Sequence, residues 1–499
     1  MSCLTPNPHP VALTGLDELS ARAPALPRGK RKVLFVTSEM SDFVQTGGLG
    51  EVSAALPRAL RTTCDVRVLI PGYRQVLDHN HAIETIAHLP GRGEIPACDL
   101  GRMTTPDGLV VYVLMAPRLY NRDGTPYLDI RGKDWVDNDI RFARLSLAAA
   151  DMATGFGDQS WQPDNLHLND WPTALASGYL TWAGSRVPSI LTIHNLAYQG
   201  SFDAGRLGAL GIPQEAFRIQ GLEFFGKLSF LKAGLFYSSH LTTVSSTYAA
   251  EITTPEFGCG MEGLLLERSR EGRLTGIVNG IEDSWTPHQH GPAGDSFDAA
   301  RWKSRHADYV RGTFGLDLAQ GPLFAIISRL VHQKGVDLAI EAAETIVANG
   351  GQLVVTGQGD PRLEDGMREL AQRHRGAVGV RIGFDRSEAR AMFAGSDFLL
   401  MPSRFEPCGL SQMYAQKFGS LPIAHRTGGL ADTISDGQTG FLFGAPTTGG
   451  LNMAVKRAFD AFVSASRFEL MRRAAMAMKF GWEHSATRYA DTYRMAEAG

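Results

Sequence analysis

The chain has 499 residues, 43% hydrophobic and 20% charged, with a formal net charge of -3. That is the balance of a soluble globular protein large enough for at least two domains, and it argues against a nucleic-acid partner. Apolar runs stay well below the roughly 18 residues needed to cross a bilayer, and the N-terminus lacks a signal-peptide core, so a cytoplasmic location is expected.

In chain order, residues 1–30 carry Pro6, Pro8, Pro10, Pro24 and Pro27 and read as a flexible leader. An apolar strand at 33–36 then feeds Gln45-Thr46-Gly47-Gly48-Leu49-Gly50-Glu51-Val52, a glycine turn that opens a helix over 52–60. Paired glycines let a backbone approach a ligand closely, and the amides of a helix start can hold an anion. Strands at 66–70, 110–114, 166–168, 190–193 and 241–244 alternate with helical stretches, which predicts a parallel sheet. Trp285-Thr286-Pro287 opens a segment rich in Gly, Pro and His, so a hinge is expected over 280–287.

The second half repeats the pattern. A strand at 323–327 ends in a loop with two cations, Arg329 and Lys334, before a helix over 336–348 whose buried stripe is Leu338, Ala342 and Ile346. Such a pair can neutralise a diphosphate, Arg through its planar fork and Lys as a point charge; the plain alternative is two solvated surface cations. Another strand, 398–401, runs into Pro402-Ser403-Arg404-Phe405-Glu406-Pro407-Cys408-Gly409-Leu410 and a helix over 409–418. Glu406 therefore stands at a strand's carboxyl end, where open α/β sheets bind ligands, beside the helix-start amides of Leu410 and Ser411. Taken alone it would be a charge favoured by the helix dipole. Thr427-Gly428-Gly429-Leu430 nearly repeats Thr46-Gly47-Gly48-Leu49, one turn in each half. The expected architecture is α/β, with two Rossmann-like domains with parallel sheets across a central cleft. Its parts are a leader over 1–30, domains over 31–280 and 281–480, and a C-terminal segment over 481–499, helical at 485–496, that crosses back to the first domain. Cys3, Cys64, Cys98, Cys259 and Cys408 are odd in number and have no paired metal-ligand spacing, so they read as reduced thiols with no metal site.

From about Lys32 to its end the chain resembles the bacterial glycogen synthases, relatives of the plant starch synthases with the two-domain GT-B fold. The likeness rests on 45–52, Asp137-Asn138-Asp139-Ile140-Arg141-Phe142, 161–171, His194-Asn195-Leu196-Ala197-Tyr198-Gln199-Gly200, Val278-Asn279-Gly280-Ile281, 328–335 and 403–412. It implies retaining transfer of glucose from ADP-glucose to the nonreducing 4-hydroxyl of glycogen or another α-1,4-glucan, with no metal or other cofactor. In the family's front-face mechanism the leaving phosphate takes the acceptor proton. Carried over residue by residue, Arg329 and Lys334 bind the donor diphosphate, Glu406 holds the transferred glucose, and the Leu410 and Ser411 amides take the distal phosphate. Asp137 lies near the reacting sugar, and Gln45, Gly47, Gly48 and Thr427 complete the donor set. Asn169, His194, Asn195 and Cys408 line the sugar cleft, although His194 serves equally as a structural hydrogen bonder and Cys408 as a small buried side chain.

Three positions depart from the family. Gln45 replaces the lysine that opens the glycine loop, so a neutral hydrogen bond, about half as strong, stands where a charge is usual. Asn169 replaces a histidine: a role played by the backbone carbonyl survives this, whereas one played by the imidazole does not. Glu51 stands for the usual aspartate. These motivate two alternatives, a noncatalytic glucan-binding or regulatory homologue, and a transferase using another nucleotide sugar or a short acceptor such as maltose 1-phosphate.

Overall fold

A computed structural model describes residues 29–79, 82–287 and 299–498; most of the expected leader over 1–30, and Cys3 with it, lies outside them. The first half builds a nine-stranded sheet from β1 (Arg31–Val36), β2 (Cys64–Pro71), β3 (Glu84–Leu89), β4 (Cys98–Thr104), β5 (Val110–Met115), β6 (Asn165–Asn169) and β7 (Ser189–Ile193), which β11 and β12 complete. Between these lie the short strands β8 (Ser201–Asp203), β9 (Glu223–Phe224) and β10 (Lys227–Ser229), which pair among themselves, followed by β11 (His240–Thr243) and β12 (Leu274–Gly276). The large sheet runs β12-β11-β7-β6-β1-β2-β5-β4-β3. Val33 to Val36 of β1 are wholly buried, as expected of a central strand covered by helices on both faces.

The parallel sheet expected here is parallel only in part. β4 pairs antiparallel with β5, and β3 antiparallel with β4. β4 sets exposed Asp99 and Thr104 among buried residues, and β3 is exposed or half-exposed over all but Leu89, as suits an edge with one solvated face.

The second sheet is parallel throughout. It runs β15-β14-β13-β16-β17-β18, from β13 (Leu323–Ile327), β14 (Gln352–Gly357), β15 (Val378–Ile382), β16 (Phe398–Met401), β17 (Leu421–His425) and β18 (Phe441–Phe443). One apolar cluster covers each of its faces. The helix Val336–Ala348 buries Leu338, Ala342 and Ile346 against it.

The chain passes between the sheets twice, and the passages lie side by side. Ile281 N donates to Phe480 O at 2.7 Å, Ser485 Oγ donates to Val278 O at 2.6 Å, and a Cβ on Gly280 would stand 2.8 Å from the Trp482 ring. Within the expected hinge, Trp285 stacks on Tyr414 at 4.0 Å. The final helix, Glu483–Ala498, buries Tyr489 and Tyr493 in the first sheet's core, where Tyr493 OH lies 2.8 Å from His167 Nδ1 of β6. Two carboxylates are exchanged across the interface. Asp432 accepts from the amides of Ser246 and Thr247, which begin the helix Ser246–Glu251. Glu251, the last residue of that helix, accepts from Thr427 Oγ1 and Gly428 N, which begin the helix Gly428–Thr433.

Candidate active site

Among the parallel strands of each sheet the order reverses at one place, and ligands of open α/β sheets bind beyond the carboxyl ends of the strands at such a point. In the first sheet β1 has β2 on one side and β6 on the other; the glycine turn follows β1, and Asn169-Asp170 ends β6. In the second sheet β13 lies between β14 and β16. The Arg329 to Lys334 loop follows β13, and Glu406 follows β16.

The two loops of the second sheet are zipped together. Arg404 N donates to Gln333 O at 2.8 Å, Gln333 Nε2 to Phe405 O at 3.3 Å, and the Arg404 guanidinium forks onto Asp337 at 2.7 and 2.9 Å. Gly335 makes this approach possible. It has φ +66°, and a Cβ there would lie 2.0 Å from Pro402 O. The result is a nearly buried ion pair, Lys334 Nζ to Glu406 Oε2 at 2.5 Å, with Ser403 Oγ donating to the same oxygen at 3.0 Å. Arg329 is exposed and reaches across the cleft, its Nη1 donating to Tyr198 OH at 3.5 Å.

Leu410 and Ser411 begin the helix Ser411–Lys417, whose first turn has no side-chain cap. Cys408 is buried, and burial pushes its thiol up to about 12. That is the inert core position, not a reactive one.

On the first sheet's side, Glu39 shapes the glycine turn. Its carboxylate accepts from Thr46 N at 2.6 Å, Gly47 N at 3.1 Å and Tyr127 OH at 2.8 Å. Gly47 is thus tied to the protein's own carboxylate, while Gly48 opens the helix Gly48–Leu60. Gln45 Nε2 lies 3.4 Å from Glu51 Oε1, and the other oxygen of Glu51 accepts from Tyr414 OH across the cleft.

Asn169 is wholly buried and bridges two partners. Its Nδ2 donates to Val36 O at 2.9 Å, which turns its Oδ1 toward His194 Nε2, also at 2.9 Å. His194 Nε2 therefore carries the proton and Nδ1 is left as an acceptor. Burial lowers the His194 imidazole to about 3, so it is neutral at physiological pH.

Asp170, not anticipated from sequence, holds the end of the same strand. Its carboxylate accepts from His194 N at 2.7 Å and Asn195 N at 3.3 Å, and its backbone sits at φ +54° and ψ -174°, a conformation costing on the order of 1–3 kcal/mol for a non-glycine residue. Burial raises its carboxyl from 3.8 to about 7. A carboxyl raised in the folded state keeps its proton while the unfolded chain loses one, so stability falls as pH rises from about 4 to about 7, by at most about 1.4 kcal/mol per pH unit. Asp170→Asn is expected to flatten urea-unfolding stability across this window. An unchanged pH slope would remove Asp170 as its source.

Two expected members have side-chain partners other than the Lys334–Glu406 pair. Asp137 is gripped by Arg122 at 2.7 and 2.9 Å. Thr427, expected to help hold donor phosphate, gives its hydroxyl to Glu251, which also accepts from the Gly428 amide, so this turn takes part in the contact between the two halves. Neither Glu251 nor Glu39 had a local sequence signal, because each is defined by partners elsewhere in the chain. Among the described residues, no group of three or more His, Cys, Asp or Glu side chains could hold a metal ion, and no helix is long and apolar enough to cross a membrane.

The "Starch synthase catalytic domain" family matches residues 32–267, and "Glycosyl transferases group 1" matches 317–467. A glycogen synthase of Pseudomonas savastanoi pv. phaseolicola is 56% identical over 467 residues, covering 93% of this chain and 96% of that protein. Glycogen synthase 1 of Bradyrhizobium diazoefficiens is 55% identical, covering 92% of this chain and all of its own length. The catalytic domain of starch synthase IV from Arabidopsis thaliana, solved with ADP and acarbose, superposes with a TM-score of 0.82 at 29% identity, covering 94% of this chain and 100% of that one. A sucrose-phosphate synthase from Thermosynechococcus elongatus shares the fold at 17% identity and a TM-score of 0.58, covering 94% and 100%.

Proposed function

The chain belongs to the glycogen synthase family of GT-B glucosyltransferases, and from that premise we propose that it elongates α-1,4-glucans in the cytoplasm, moving glucose from ADP-glucose to a nonreducing 4-hydroxyl with retention. The observation that carries this reading is the Lys334–Glu406 pair at the second sheet's reversal point, with Arg329 beside it and the glycine turn on the other sheet.

Each group has a task. Donor diphosphate draws the Lys334 ammonium from Glu406 and joins it to Arg329, so the leaving group's charge meets two cations; the reading therefore invokes neither metal nor cofactor. The freed Glu406 carboxylate accepts hydrogen bonds from the hydroxyls of the transferred glucose. The uncapped amides at Leu410 and Ser411 take the distal phosphate. His194, neutral and with Nδ1 unprotonated, accepts from a sugar hydroxyl, and Asn169 fixes that tautomer. Asparagine thus keeps a positioning role at a position where the family has histidine, which supports turnover over a purely binding role. The acceptor's proton leaves on the departing phosphate, and retention follows from attack on the leaving group's own face. Closure of the lobes excludes the water that would hydrolyse the donor.

The test is incorporation of labelled glucose into glycogen by the purified protein, with ADP-glucose and UDP-glucose compared directly. Incorporation from ADP-glucose in preference to UDP-glucose is expected; none from either would overturn the reading. Gln45→Lys is expected to lower the KM for ADP-glucose several-fold, since an ammonium there would roughly double the strength of a hydrogen bond to phosphate. An unchanged KM would mean that Glu51, 3.4 Å from Gln45, keeps the new charge for itself.

A further inference from the structure

Strands β9 and β10 are joined by two residues, Phe225 and Gly226, with Phe224 paired to Lys227. Both linking residues have positive φ, +46° and +77°, as a primed hairpin turn requires, and the first position of such a turn favours Asn, Asp or Gly. Phenylalanine there carries a steric strain that glycine would not. Its ring recovers nothing by burial, being 82% exposed. Of the three non-glycine residues with positive φ among the described residues, two meet here, for Cys259 at +52° leads into Gly260, which packs against the rings of Phe224 and Phe225. Phe224 braces Phe225 edge to face at 4.7 Å. A strained backbone that holds an aromatic ring out in water, and fixes it there, points to a use for the ring.

Its place suggests the use. Cys259 O accepts from Gln199 Nε2 at 3.2 Å; the neighbouring Tyr198, half exposed, is the residue whose hydroxyl meets Arg329. A run of contacts thus leads from the donor cation through Tyr198 and Gln199 and the Cys259-Gly260 backbone to Phe225. We propose that Phe225 is a stacking platform for the glucan acceptor, packing against the apolar face of a glucose unit as the chain leaves the cleft. This rests on the glucan-elongating function proposed above. The ring supplies apolar area at little cost in side-chain freedom, and Gln199 and Glu223 beside it supply polar edges for sugar hydroxyls.

The experiment compares Phe225→Gly and Phe225→Trp with the parent enzyme in steady-state transfer from ADP-glucose to glycogen, alongside thermal melts. Phe225→Gly relieves the turn, so its melting temperature should equal or exceed the parent's while the KM for glycogen rises about tenfold. Donor KM and kcat at saturating glycogen should not move, and Phe225→Trp should keep the parental KM. A glycogen KM within twofold of the parent for Phe225→Gly, or an equal loss in Phe225→Trp, would overturn the platform. A lowered melting temperature in Phe225→Gly would equally overturn it, since the ring would then serve the fold. Failure of the parent to use glycogen would instead sink the proposed function itself.

Discussion

Replacing Glu406 with glutamine should lower kcat for glucose transfer by about three orders of magnitude while leaving the protein folded. The side chain is nearly buried, and its carboxylate takes both Lys334 Nζ and Ser403 Oγ on one oxygen. Glutamine keeps the volume and one acceptor, so packing and the Ser403 bond survive. What disappears is the negative charge that opposes the cation pair and binds the sugar hydroxyls as they reorganise. Steady-state rates at saturating ADP-glucose and glycogen, with far-ultraviolet circular dichroism as the fold control, decide the matter. Turnover within tenfold of the parent would remove Glu406 from the reacting centre.

Lys334→Met should reduce kcat/KM for the donor by about a thousandfold, divided between a higher KM and a lower kcat, because the same ammonium serves the bound diphosphate and the departing one. It should also destabilise the protein by about 3 kcal/mol, since removing one partner of a buried pair leaves the other desolvated and unpaired. The two effects separate in a double variant. Lys334→Met with Glu406→Gln should recover most of the lost stability, measured by urea unfolding, and none of the activity. Additive losses of stability would show that the pair is not coupled in the folded protein.

Much of the site was legible because it sits on the most regular pieces of the chain. The apolar runs 323–327 and 398–401 and the helical stripe 336–348 are bounded by turn-forming residues, and the strands β13 and β16 and the helix Val336–Ala348 occupy those same residues. The first glycine turn was read correctly as a helix opening, but the helix starts at Gly48 and not at 52, since glycine amides join a helix whose propensity they weaken. The antiparallel edge of β3 and β4 went unread: its half-exposed, partly polar strands lack the continuous apolar signal used for the others. The hairpin of β9 and β10 is too short for any periodicity. The contact of Thr427 with Glu251, 176 residues away in sequence, could not be read from the turn, which looks identical to the first. Asp170 escaped for a related reason, as its partners are the amides of the next strand's loop.

The exchange of Glu251 and Asp432 bears on how the molecule assembles. Each lobe begins one of its helices with amides that the other lobe's carboxylate satisfies. A lobe produced by itself would carry an open helix start and, close by, a carboxylate with no amides to receive it. The halves resemble autonomous domains in topology, yet each supplies a carboxylate that caps a helix start of the other, so the seam between them carries hydrogen bonds that neither half makes alone.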